Sequence, residues 1–173
     1  TVGSDGAGED VTFYSDTAGD SMVWDSSAEK LTITGTNDAP AISVETGDSD
    51  STTLTETDAG LSDGGTLSVA DLDLSDEVTA SVTGVVESGT TAGLGSDNAT
   101  LAGMLTVTAG AIAADPGDTN NLAWSFDSGA EAFDYLDDGE SLTLTYTVQV
   151  EDDSGATDSK EVVVTITGTN DAP

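Results

Sequence analysis

Leu142-Thr143-Leu144-Thr145-Tyr146-Thr147-Val148-Gln149-Val150-Glu151 alternates apolar and polar residues without a break. In an extended chain successive side chains point to opposite faces. Leu142, Leu144, Tyr146, Val148 and Val150 therefore line one face, and Thr143, Thr145, Thr147, Gln149 and Glu151 the other. This is a strand with one dry side and one wet side. Similar runs, rich in Val, Thr, Leu and Tyr and separated by Gly, Asp, Asn and Ser, read as further strands at 11–14, 21–24, 30–34, 41–44, 51–55, 66–70, 77–86, 100–108, 121–126 and 160–167. One short helix is expected over Ala130–Leu136, capping an edge, and loops over Gly93–Ala99 and Ala114–Asn121. Seven or more strands in about 130 residues, with no alternation of helix and strand, predict an all-β fold: a β-sandwich with Greek-key connections.

The strand at 160–167 leads into Thr167-Gly168-Thr169-Asn170-Asp171-Ala172-Pro173, which repeats Thr34-Gly35-Thr36-Asn37-Asp38-Ala39-Pro40 letter for letter, 133 positions on. A duplication at that spacing marks tandem beads rather than a solenoid, whose units of about 20–50 residues share one core. Residues 41–173 read as one complete repeat ending in its linker. Residues 1–40 read as the last strands and linker of a preceding, diverged repeat. Such a piece cannot bury a core alone, so it is expected to pair with an open edge of the main sandwich or of a neighbouring molecule.

Thirty-four acids face only Lys30 and Lys160, for a formal charge of −32. No basic patch exists to neutralise a phosphate backbone, which excludes nucleic acid as a partner. Leu, Ile, Val and Phe make up only about a fifth of the chain, the composition at which burial barely offsets ordering entropy. Positive charge must come from elsewhere, and carboxylate and carbonyl oxygens suit hard cations, calcium above all. With no cysteine and no histidine, disulfide staples and the usual zinc and copper sites are excluded. No apolar run approaches the ~20 residues that span a bilayer, so no membrane insertion is expected.

The segment Trp124-Ser125-Phe126-Asp127, Glu131-Ala132-Phe133-Asp134-Tyr135-Leu136 and Gly139-Glu140-Ser141-Leu142-Thr143-Leu144-Thr145-Tyr146, ending in Gly168–Pro173, resembles the bacterial cadherin-like or immunoglobulin-like repeats of the VCBS type. These occur in giant RTX adhesins exported by type I secretion. The resemblance covers about 41–173. It implies calcium at junctions between beads, with ligands from the end of one, the linker and the loops of the next. Glu56 resembles the family's early glutamate, Asp71-Leu72-Asp73 its Asp-x-Asp after a strand, and Asp137 the aspartate of its Leu-Asp-x-Glu motif, although Glu140 comes one residue late. Asp152 or Asp153 matches its Asp-x-Gly turn, and Asn37-Asp38 and Asn170-Asp171 its linker residues. The resemblance thus assigns Asn37, Asp38, Asp71, Asp73 and Asp152 or Asp153 to an upstream junction, and Glu56, Asp137, Asn170 and Asp171 to a downstream one. Against each stands a plain turn-forming role. Asp48, Asp50, Asp97, Asp115 and Asp118 are expected to be a solvated coat.

The expected function is structural: a calcium-rigidified extender in a large secreted or surface-bound bacterial adhesin, extracellular, not an enzyme, contacting neighbouring repeats of its own chain. Two alternatives stand beside it. One is a recognition module for a glycan or another cell, which needs an exposed aromatic cluster beside a calcium site; Trp24, Trp124, Tyr14 and Tyr135 are the aromatics available for a sugar-binding face, with Trp124 reading first as core. The other is a filament subunit that donates a strand from 1–40 to the next molecule, a homotypic contact.

Overall fold

The alternation at 141–151 is a single long strand, and its register organises the larger part of the molecule. The computed structural model describes residues 9–16, 18 and 20–170. The chain divides into two units, Thr1–Asn37 and Asp38–Pro173. In the first, β1 (Val11–Tyr14), β2 (Ser21–Asp25) and β3 (Lys30–Thr34) form an antiparallel meander in the order β1-β2-β3.

The second unit carries β4 (Ala41–Ser43), β5 (Ser51–Thr55), β6 (Ser62–Ala70), β7 (Thr79–Gly89), helix α1 (Asn98–Ala102), β8 (Leu105–Val107), β9 (Leu122–Asp127), β10 (Ser141–Glu151) and β11 (Thr157–Thr167). One sheet runs β5-β11-β10-β7 and the other β4-β6-β9-β8. The chain crosses from sheet to sheet as it proceeds, giving the Greek-key β-sandwich. β10 pairs with β11 along its whole length, Ser141 opposite Thr167 and Glu151 opposite Thr157. β5 joins β11 in parallel, Leu54 opposite Ile166.

The dry face of β10 is buried throughout, together with Val162, Val164 and Ile166 of β11. These pack in one core with Leu67 and Val69 of β6 and Leu122, Trp124 and Phe126 of β9. Phe126 meets Tyr146 edge-on, ring centres 6.4 Å apart. The polar tips of the buried aromatics find backbone carbonyls: the Trp124 indole N–H donates to Ser49 O at 2.7 Å, and the Tyr146 hydroxyl to Leu101 O at 3.0 Å. Such partners remove most of the penalty of burying a polar group.

Two expectations fail locally. The run at 100–108 is not one strand: Asp97 caps α1 by accepting the Thr100 N–H at 2.8 Å, and only 105–107 remains extended. Ala130–Leu136 is not a helix, because the backbone turns left-handed at Gly129 (φ 63°) and again at Phe133 (φ 66°). A bulky residue rarely adopts that conformation. Full burial of the Phe133 ring holds it there, so packing overrides the helical spacing.

Candidate metal sites at the two ends of the sandwich

β10 separates two sets of acids. Its eleven residues span roughly 35 Å at about 3.4 Å per residue, with Glu151 at the entry end and Ser141 at the exit end.

At the entry end, β6 breaks into the loop that leads to β7, beside the β10–β11 turn. Asp71 is only 4% exposed. Its Oδ1 accepts the Asp73 N–H at 2.9 Å, a tight Asx turn in the Asp-Leu-Asp segment. Its Oδ2 is buried and has no hydrogen-bond partner. The next aspartate reaches back to the linker: Asp73 Oδ2 accepts the Asp38 N–H at 2.6 Å. Asp76 completes the loop, its N–H donating to Asp73 O at 2.9 Å. Burial first, then the Asp153 carboxylate, and more weakly Asp73 and Asp152, raise the Asp76 carboxyl above its ordinary range, partly offset by the Ser75 hydroxyl. What joins this loop to the β10–β11 turn is the Ser154 hydroxyl, which donates to Asp76 Oδ2 at 3.5 Å. Within the turn, Asp152 is buried and accepts the Ala156 N–H at 2.8 Å, whereas Asp153 is exposed.

The entry end therefore gathers Asp38, Asp71, Asp73, Asp152 and Asp153. It adds Asp76, which the sequence reading did not single out. The available signal was the continuation of Asp71-Leu72-Asp73 as Leu74-Ser75-Asp76. Asn37 is exposed and closes the first unit.

At the exit end, Glu56 follows β5 and is 1% exposed. Its N–H donates to Thr167 O at 2.9 Å, extending the parallel pairing by one residue. Oε1 accepts the Thr169 N–H at 2.7 Å and the Thr169 hydroxyl. Oε2 is buried without a hydrogen-bond partner. Gly168 is wedged against the turn before β10: a Cβ there would lie 2.3 Å from Asp137 O and 2.4 Å from Leu136 O. Only glycine allows that approach. Asp137 and Asn170 are exposed beside this junction, and Asp171 lies outside the described residues. Glu140, the glutamate that comes one residue late, closes its own turn by accepting the Asp137 N–H at 3.1 Å.

Both ends thus hold a buried carboxylate oxygen that nothing satisfies. Among the described residues of the sandwich, Glu56 Oε2 and Asp71 Oδ2 are the buried side-chain oxygens left in that state; Asp20 Oδ1 in the first unit is a third. An unpaired buried acceptor is costly, and a hard cation is a natural partner for a carboxylate oxygen. The donor chemistry fits calcium, with Asp71, Asp73, Asp76 and Asp152 on one side and Glu56, Asp137 and Asn170 on the other. Among the described residues no three acidic side chains close on one point, so side chains of this chain alone do not complete a shell of six to eight oxygens.

Several acids expected to be a solvated coat are instead structural. Asp48 accepts from the Thr66 hydroxyl at 2.7 Å, the Ser68 hydroxyl at 2.6 Å, the Glu45 N–H at 3.0 Å and the Asn120 amide at 2.5 Å. Burial acts upward on its carboxyl, but those bonds outweigh it and hold it below the usual range. Asp50 pairs with Lys160 at 3.4 Å. The four aromatics proposed as a sugar-binding face divide between the two units. Trp124 is core, Tyr135 spends its hydroxyl on Thr90 O, and Trp24 and Tyr14 lie on opposite faces of the β1–β3 sheet.

No helix among the described residues is long and apolar enough to cross a membrane. No family model and no curated protein matches the chain. Two solved structures resemble it: the ASH/PapD-like domain of human CEP192 (PapD-like domain 7), at 11% identity and TM-score 0.44, covers 79% of this chain and 89% of its own. The CooA pilin subunit from enterotoxigenic Escherichia coli, at 11% identity and TM-score 0.43, covers 78% of this chain and 100% of its own. Both likenesses are faint and concern the β-sandwich alone.

Proposed function

We propose that this chain is a non-catalytic structural link in a large extracellular or surface-bound bacterial adhesin of tandem β-sandwich beads, and that calcium at the ends of the bead stiffens the chain. The observation that carries this reading is the pair of buried, unpartnered carboxylate oxygens, Asp71 Oδ2 at the entry end and Glu56 Oε2 at the exit end. Each lies beside one copy of the duplicated Thr-Gly-Thr-Asn-Asp-Ala-Pro segment: Asp71 holds Asp73, which accepts from Asp38, and Glu56 accepts from Thr169. An ion bound there links a bead to its linker, and a linker held at both ends transmits force.

Calcium favours the folded, aligned state by RT ln(1 + [L]/Kd), about 1–3 kcal/mol per site at millimolar calcium for dissociation constants of about 10⁻⁴ M and below. It also screens the mutual repulsion of a chain with formal charge −32. The test is thermal unfolding against calcium concentration. The parent melts markedly higher in calcium than in chelator, and magnesium substitutes poorly. Asp71→Asn loses the calcium-dependent part of the shift yet melts no lower than the parent in chelator, because it removes an unsatisfied buried carboxylate. Identical melting of the parent in calcium and chelator overturns the proposal.

A further inference from the structure

The two copies of the heptapeptide sit in different surroundings. Gly168 nearly touches the backbone of Leu136 and Asp137, and Thr169 gives both its N–H and its hydroxyl to Glu56. At Gly35 nothing lies within 4 Å, and Thr36 is exposed with no hydrogen bond among the described residues. A glycine needed for close approach and a threonine needed for a carboxylate are both present without what they approach.

The strands leading in repeat the contrast. Aligned on the heptapeptide, Leu31 and Ile33 take the places of Val164 and Ile166. Their cross-strand neighbours Trp24 and Met22 take those of Leu144 and Leu142. The four sandwich residues are wholly buried, whereas Leu31 is 52% and Ile33 75% exposed. β1 widens the same face, since Val11 lies opposite Trp24 and Phe13 opposite Met22. Val11, Phe13, Met22, Trp24, Leu31 and Ile33 thus share one side of the sheet. Thr12, Tyr14, Ser21, Thr32 and Thr34 share the other with Val23, Asp25 and Lys30. One side is built for burial and the other for water.

We infer that β1–β3 form one wall of a second sandwich, and that the wall facing them is a β-sheet with the alternating apolar pattern of β4-β6-β9-β8. That partner brings a buried carboxylate to Thr36 and a tight turn to Gly35. It belongs to the same polypeptide, N-terminal to β1, because in the complete sandwich Glu56, Leu136 and the whole facing sheet precede the heptapeptide they contact. The hairpin therefore associates through its apolar face and through Gly35-Thr36, not by donating a strand edge. This inference rests on the tandem-repeat part of the proposed function and not on its calcium.

Hydrogen exchange read by mass spectrometry over 21–36 tests it, comparing the 173-residue chain with the natural full-length polypeptide, both in saturating calcium. Exchange is expected to slow by orders of magnitude in the full-length protein. Gly35→Ala and Thr36→Val are expected to be silent in the 173-residue chain and to restore fast exchange in the full-length one. Equal exchange in the two proteins, or variants silent in both, overturns the inference. So does a concentration-dependent dimer of the 173-residue chain that protects 21–36, which would place a second copy on the face. The calcium reading fails on melting of the 173-residue chain and this one on exchange in the longer protein, so the two failures are distinct.

Discussion

The β2–β3 and β10–β11 hairpins end in the same seven residues and have opposite surroundings. Val164 and Ile166 have no exposed surface; Leu31 and Ile33 have more than half of theirs exposed. The residues leading into the shared segment are nearly constant, Leu-Thr-Ile-Thr against Val-Thr-Ile-Thr. What differs is the opposing sheet. A strand's alternation specifies which side chains seek burial, and only a second layer supplies it.

Paired substitutions sharpen this contrast. The largest effect is expected at the core: Ile166→Ala costs about 2–5 kcal/mol by urea unfolding, whereas Ile33→Ala falls within about 0.5 kcal/mol of the parent. Equal costs at the two positions would break the comparison. Next come the heptapeptide contacts. Thr169→Val removes the hydroxyl donor to Glu56 and is expected to cost about 1.5–3 kcal/mol, the usual range for a bond to a carboxylate, while Thr36→Val is silent. Gly168→Ala forces a Cβ into the Leu136 and Asp137 carbonyls and costs about 1–3 kcal/mol; Gly35→Ala has room. Equilibrium unfolding of the four variants measures both pairs.

The smallest effect concerns pH. The Asp48 carboxyl is held low, so its contribution is fully present above the ordinary aspartate value near ~3.9 and is lost as pH falls through its lower folded value. Asp76 is shifted the other way. Its folded state binds a proton more readily than the unfolded chain, so it lowers stability above its raised folded value and relaxes as pH falls through it. In chelator, Asp48→Asn is expected to flatten acid unfolding below about pH 4, and Asp76→Asn to raise stability at neutral pH. With calcium, the Asp76 gain shrinks, because the ion offsets the repulsion from Asp153. An unchanged Asp76 effect would remove that residue from the entry cluster.

The entry-end acids stand out through the family resemblance; what the local sequence itself shows is narrower, an Asx residue at a strand end. Asp71-Leu72-Asp73 follows the apolar run Leu67–Ala70, and the Asx turn at Asp71 is the consequence. Asp76 escaped notice because its significance lies in its approach to Asp153, 77 positions away. Asp48 was misread for a similar reason: its partners Thr66, Ser68 and Asn120 come from β6 and the loop before β9. The helix expected at 130–136 shows the opposite limit, where the local spacing of Phe133 and Leu136 was real but both side chains entered the sandwich core from a turn.

From its letters alone the chain is all-β, carries a duplicated heptapeptide, is acidic beyond self-neutralisation and is built of strands with one dry face, because periodicity, duplication and charge are properties of covalent order. The folded structure decided which carboxylates are buried without partners, which acids serve as internal acceptors and which of two hairpins ending in the same segment has a core to join. Those outcomes depend on which distant segments arrive at the same place, and a hydrogen bond or a buried surface exists only after both partners are there.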